Sequence, residues 1–289
     1  PWLNPDNFVG EPVGKDTAPA VGVITTLIHR KDPDAIILVS PADHIILKEK
    51  SFRRHLEVAE QIASEGPNVV TIGIKPTSPE TGYGYIQMSE NRRQIDDVNV
   101  HEVISFKEKP DAKTAEEYIA SWHYVWNSGM FVWSARTVLD LFREHAPDIH
   151  KLLVRYDSVI GKPEESKVFD QIYDAFPRIS VDYAILEHAK NIYVIPASIG
   201  WSDLGSWASL HEVKEPDECG NVVVGEHIGI DTHNCLIHGQ PGKLVTTIGI
   251  DNLIVVDAGD ALLILPRGRS QDIKKLLEEL KKEGKAKYL

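Results

Sequence analysis

Cysteine is nearly absent: Cys219 and Cys235 are the only two in 289 residues. Two thiols without metal-ligand spacing argue against a disulfide scaffold and suit a reducing cytoplasm. A basic excess is missing too, since the formal net charge is −12 and the lysines and arginines are scattered. That argues against a nucleic-acid surface and leaves room for a locally basic pocket around a phosphorylated small molecule. No apolar run is long enough to span a bilayer and no signal peptide is recognisable, so a cytoplasmic location without membrane contact is expected. An initiating methionine is also lacking. The chain begins Pro1-Trp2-Leu3-Asn4-Pro5 and reaches a short strand, Asn7-Phe8-Val9, with no strand–helix unit before it. It reads as a chain entered partway through a fold.

What is present centres on residues 35–44, AIILVSPADH. The run from Ala35 to Val39 has the pattern of a central parallel strand, buried on both faces. Pro41 offers no N–H to a ladder, so the chain leaves the sheet there and sets Asp43 and His44 at the strand's carboxyl end, where open α/β sheets bind ligands. A carboxylate there suits magnesium shared with substrate phosphates; it suits the cap of a following helix equally well.

Around that stretch the chain alternates. Asp16 or Thr17 caps a helix with Pro19 in its first turn and Val21, Ile24, Leu27 and Ile28 inward. A helix follows from about Ser51 to Ser64, then a strand from Val69 to Ile74, a rhythm of right-handed βαβ units in a doubly wound sheet. Residues 75–87 read as a loop leading into a short strand, either a plain glycine-rich hairpin or one in which Gly82 and Gly84 let backbone approach a ligand walled by Tyr83 and Tyr85. A strand from Val98 to Phe106 ends in Lys107-Glu108-Lys109-Pro110, charges that either face solvent or bind a phosphorylated sugar. The turn Trp126-Asn127-Ser128-Gly129 leads into a strand from Met130 to Trp133. Ser134 then caps a helix ended by Pro147. Ser180-Val181-Asp182-Tyr183 opens another helix. Trp201 and Trp207 flank a polar turn and read as core packing.

Beyond residue 214 the texture changes to short β-branched strands between Gly, Asn and Asp turns. A C-terminal domain over 215–289 is therefore expected, a small β-helix or β-roll without a strict hexapeptide period, after a main domain over 1–214. A final helix, 271–283, has one apolar face that would pack on that domain or on a neighbouring subunit.

Seven motifs run in order: EPVGKDTAPA at 11–20, LVSPADH at 38–44, PETGYGYI at 79–86, FKEKP at 106–110, WNSGMFVW at 126–133, SVDYAILE at 180–187 and WSDLGSW at 201–207. Together they resemble the nucleotidyltransferases that make nucleotide sugars, and within them the mannose-1-phosphate guanylyltransferases. The resemblance implies a Rossmann-like, glycosyltransferase-A-like mixed sheet with a small C-terminal β-helix-like domain. It implies transfer of GMP from GTP to mannose 1-phosphate, giving GDP-mannose and pyrophosphate. Asp43 and Asp203 would hold Mg2+, and Lys109 the sugar phosphate. Gly84, Glu108, Asn127 and Asp182 would take the mannose, while Glu11, Thr17, Ala18, Pro19, Pro41 and Asp43 would take the nucleotide. A homodimer through the C-terminal domain is a further expectation. The family's glycine-rich triphosphate loop is missing from this sequence, which reads as starting downstream of it, and Asp16 stands where the family usually has asparagine. The competing expectations are a non-catalytic, nucleotide-sugar-binding regulatory relative and a thymidylyltransferase acting on glucose 1-phosphate.

Overall fold

The computed structural model describes residues 4–107, 109–205, 207, 210 and 214–288. It divides into two compact units, one of residues 1–41 with 48–199 and one of residues 42–47 with 200–289.

In the first unit, α1 (Thr17–Lys31) leads to β1 (Ile36–Val39); β2 (Ile45–Ile46) belongs to the second unit, and α2 (Glu49–Ser64) resumes the first. β3 (Val69–Ile74), β4 (Tyr85–Ile95), β5 (Val98–Lys107), α3 (Ala112–Ser121), β6 (Tyr124–Ser134), α4 (Ala135–His145), α5 (Pro147–Asp157), α6 (Glu165–Ala175) and β7 (Ile192–Ala197) complete it. The sheet order is β1-β6-β3-β7-β5-β4, with β4 pairing on β6 as well. β3 and β7 run parallel, and the other pairings are antiparallel.

The interior is built from α1, α4, α5 and α6 against the sheet. Trp133, Phe131, Phe142, Tyr173 and Phe176 are all essentially buried there. Each such side chain contributes roughly 1.5–3 kcal/mol by leaving water. Gly73 marks the tightest point, because a Cβ there would lie 2.3 Å from Val125 and 2.7 Å from Val194.

Several expectations are corrected. The run at 36–39 is an edge strand rather than a central one: β1 pairs antiparallel with β6 alone among the described strands, and Leu38 is 42% exposed. Ile37, by contrast, is buried in the main hydrophobic cluster. Residues 126–129 do not form a turn before a strand. β6 runs straight through them, and Gly129 at φ 69° absorbs a register shift opposite Thr71 and Gly73 as a bulge. Pro5–Asn7 is a 3₁₀ turn in place of the expected strand over Asn7-Phe8-Val9, closed by bonds from Asn7 N to Asn4 O and from Phe8 N to Pro5 O. Pro147 ends α4 and also begins α5, where its missing N–H costs nothing. Ile24 is 37% exposed; α1 instead buries Ala18, Val21, Gly22 and Thr25, since Gly22 lets Leu153 of α5 come close.

In the second unit, β2 pairs antiparallel with β8 (Trp201–Ser202). β9 (Val222–Val224), β10 (Glu226–Ile230), β11 (Leu236–His238), β12 (Leu244–Ile248), β13 (Leu253–Asp257), β14 (Leu262–Pro266) and α7 (Ile273–Lys282) follow. β9, β11 and β13 stack in parallel, placing Val222, Leu236 and Ile254 in one buried column. β10 and β12 stack likewise, and this is a short parallel β-helix. Its corners need left-handed backbone, supplied by Asp231, Asn234 and Asn252 and by Gly225, where a Cβ would lie 3.0 Å from Gly239 O. No residue of α7 is buried; Leu276 and Leu277 remain 47% and 37% exposed. None of the described helices is long and apolar enough to cross a membrane.

Candidate active site

The polar turn after β1 and the polar turn after β8 are distant in sequence. They are drawn together by the two-residue ladder Ile45↔Ser202 and Ile46↔Trp201. That pairing sets Asp43, His44 and Asp203 in one place. Asp43 Oδ1 lies 3.9 Å from His44 Nε2, and both carboxylates act electrostatically on the imidazole. Burial lowers the His44 pKa, against the upward pull of Asp43 and then Asp203. The indole N–H of Trp201 donates to His44 Nδ1 at 3.1 Å, with the rings edge to face. Asp203 Oδ1 accepts from Gly205 N at 2.8 Å, and a Cβ on residue 205 would meet Asp203 Oδ2 at 2.6 Å. The carboxylate therefore depends on glycine at 205.

A second cluster lies in the first unit. Asn127 Nδ2 donates to Asp182 Oδ1 at 2.9 Å, Gly129 N donates to Asn127 Oδ1 at 3.1 Å, and Asn127 N donates to Gly84 O at 2.8 Å. Gly84, Asn127 and Asp182, remote in sequence, thus share one hydrogen-bonded group. The β4–β6 pairing of Tyr85 with Trp126 secures it, and Tyr83 walls it with its ring edge-on to Trp126, centroids 5.1 Å apart. Tyr85 also pairs with Lys107 on β5, so Lys109, at φ 25° just past that strand end, belongs to the same edge. Glu108 lies outside the described residues. Asp182 itself opens a single π-type helical turn, Asp182–Leu186, shorter than the helix expected.

The segment expected to take the nucleotide is more engaged than its sequence suggests. Asp16 at φ 67° caps α1 by accepting from Thr17 N at 2.9 Å. Thr17 Oγ1 accepts from Val181 N at 2.8 Å, and Ala18 N donates to Ile179 O at 3.1 Å. Ala18 and Pro19 are buried as this apolar first turn of α1 docks on residues 179–181. Glu11 and Thr17 face solvent, and Glu11 is near enough to Tyr173 to act on its phenol electrostatically. Pro41 sits beside the β6 bulge, 3.6 Å from where a Cβ on Gly129 would be.

Sequence reasoning sets His44 at the ligand-binding edge without giving it a role, and reads Trp201 as packing. The alternation of Trp and Asp in WSDLGSW is the available signal, yet an apolar ring in a turn reads first as packing. Trp207 does pack, against His238 and the β-helix interior.

An α/β mixed-sheet domain followed by a parallel β-helix defines the class: an α/β mixed-sheet fold with a solenoid appended. The family model for "Nucleotidyl transferase" matches residues 6–219, and that for "MannoseP isomerase/GMP-like beta-helix domain" matches residues 225–280. The chain belongs to the nucleotidyl transferase family. It is 39% identical over 287 residues to a mannose-1-phosphate guanylyltransferase of Escherichia coli K12, covering 98% of this chain and 59% of that protein. It is 41% identical over 288 residues to the namesake from Klebsiella pneumoniae, with 98% and 60% covered. A crystal structure from Thermus thermophilus, described as a mannose-1-phosphate geranyltransferase, superposes with TM-score 0.81 at 33% identity, covering 94% of this chain and 77% of that one. The chain thus spans about three fifths of the length of these curated relatives.

Proposed function

We propose that the protein transfers GMP from GTP to mannose 1-phosphate, releasing pyrophosphate and forming GDP-mannose. The observation that carries this reading is the meeting of Asp43 with Asp203 around His44. Among the described residues no group of three or more His, Cys, Asp or Glu side chains could hold a metal by itself. Two carboxylates alone fit Mg2+, which is usually held by one or two carboxylates with substrate phosphates and waters. When bound, such a cation would neutralise charge on the α-phosphate during in-line displacement.

The chain's own residues supply the rest. The Asn127–Asp182 pair and Glu108 would hydrogen-bond mannose hydroxyls, and polar partners of this kind reject a sugar with a misplaced hydroxyl more strongly than apolar walls do. Gly84 would let the ring lie against backbone, and Lys109 would hold the sugar phosphate as a point charge. Glu11, with the backbone from Thr17 to Pro19, would take the guanine, its carboxylate accepting from the N–H groups of the base. A phosphoryl transfer needs positioning and charge neutralisation more than covalent help, which these roles provide.

The full-length protein, supplied with GTP, mannose 1-phosphate and Mg2+, should release pyrophosphate. Glucose 1-phosphate with dTTP should give far less. No turnover with any nucleoside triphosphate would favour a regulatory, nucleotide-sugar-binding relative. A cytoplasmic location belongs to the same reading, in keeping with only two cysteines. So does a homodimer through the β-helix, favoured by the exposed Ile228, Ile230, Leu244 and Ile248 on β10 and β12. Charge substitutions at Ile228 and Ile248 should then yield a monomer by light scattering.

A further inference from the structure

The Trp201–His44 contact carries more than packing. An indole N–H can only donate, so His44 Nδ1 must be the acceptor. An imidazole that accepts at Nδ1 carries its proton on Nε2, the nitrogen 3.9 Å from Asp43 Oδ1. Asp43 has an 86% exposed side chain, while the His44 side chain is only 14% exposed. The exposed carboxylate therefore lies beside a fixed donor. The imidazole is fixed in turn by Trp201, itself 8% exposed and paired by its backbone to Ile46 in the β2–β8 ladder.

Resting on the reading of Asp43 and Asp203 as the metal pair, we infer that His44 is a positioning residue. Its Nε2–H holds one Asp43 oxygen, directly or through one water, so that the other is presented to the cation, and Trp201 selects the tautomer that makes this happen. The separation of 3.9 Å is too long for a direct hydrogen bond and suits either a small carboxylate rotation or a bridging water. The arrangement follows a general rule, that outer-shell donors orient metal-binding carboxylates. It also explains why Trp201 and the two acidic turns are assembled by the same two-residue ladder: tautomer, orientation and ligand pair are set by one pairing.

The test uses the full-length protein labelled with 15N-histidine. Two-bond 1H–15N spectra should show His44 of the wild type with Nδ1 unprotonated and Nε2 protonated. Trp201→Phe keeps an aromatic ring and removes the donor, and should convert His44 to a mixture of tautomers. In pyrophosphate-release assays with saturating GTP and mannose 1-phosphate, His44→Ala should raise the Mg2+ concentration for half-maximal rate by about 10–100-fold. His44→Gln, whose amide N–H reaches a similar point, should recover most of it. A wild-type His44 protonated at Nδ1 would overturn the inference. So would an unchanged Mg2+ requirement in His44→Ala while Asp43→Asn alters it, and in that case the metal pair would stand without its positioning residue. If Asp43→Asn also leaves the Mg2+ requirement unchanged, the metal pair itself falls, and the inference with it.

Discussion

The carboxylate of Asp182 accepts a 2.9 Å hydrogen bond from the side-chain amide of Asn127, 55 positions away. The same Asn127 amide uses its oxygen to receive Gly129 N at the β6 bulge. Asn127 is therefore oriented from both ends, and its flip state is set by its partners. Asp182→Ala removes one of those ends and one carboxylate. The expected outcome is a loss of about 2 kcal/mol of transition-state stabilisation, on the order of 30-fold in kcat/KM for mannose 1-phosphate. A double-mutant cycle with Asn127→Ala should give a coupling of about 1 kcal/mol or more; additive effects would mean the pair does not act as a unit.

Asp203→Asn should leave the fold intact, because the asparagine oxygen can still accept from Gly205 N. It should lower Mg2+-dependent turnover by on the order of 100-fold, about 3 kcal/mol. Circular dichroism before the assay separates the two effects. A variant as active as the parent would remove Asp203 from the metal pair.

Gly73→Ala tests the packing of the main sheet. The added methyl would fall inside the space of Val125 and Val194. Overpacking of this kind costs roughly 1–3 kcal/mol. At about 2–4 °C per kcal/mol for a domain of this size, calorimetry should record a Tm drop of several degrees. A Tm equal to that of the wild type would show that the sheet yields at this point.

Acid should weaken the protein before its carboxylates titrate. Burial lowers the pKa of His150 and of His227 from the ordinary 6.5, so the unfolded chain binds these protons first. Their contribution is present above about pH 6.5 and is lost as pH falls through the lowered folded values. Asp111 and Asp257 are also lowered, by the Thr114 amide and by Lys243 respectively, but their stabilisation is present above 3.8 and fades only further into acid. Tm should therefore fall between about pH 7.5 and about pH 5.5, the range in which an ordinary histidine takes up its proton. His227→Gln, which keeps a hydrogen-bonding group towards Thr247, should flatten part of that slope.

Much of the local structure was readable from single stretches. Asp16 and Ser134 were legible as caps because capping is a bond between neighbours, and each does accept a backbone N–H in the first turn of its helix. The β-helix was legible because its corners demand Asn, Asp and Gly. Strand neighbours were not. The aliphatic run at 36–39 suits a centre or a covered edge equally, and among the described strands it pairs with β6 alone. Residues 126–129 carry turn-forming types, yet the neighbouring β3 and β4 hold them in a bulged strand.

For the site, the acids, the amide and the lysine came from the resemblance of the seven motifs; residue chemistry alone left Asp43 between a cation and a helix cap and Lys109 between a phosphate and solvent. How they meet is a property of pairing across long loops, and so only the folded molecule shows the β2–β8 ladder that brings the turns of Asp43 and Asp203 together and the hydrogen bond from Asn127 to Asp182. The same holds for His44: its tautomer is written nowhere in the chain, because it is imposed by an indole 157 positions away.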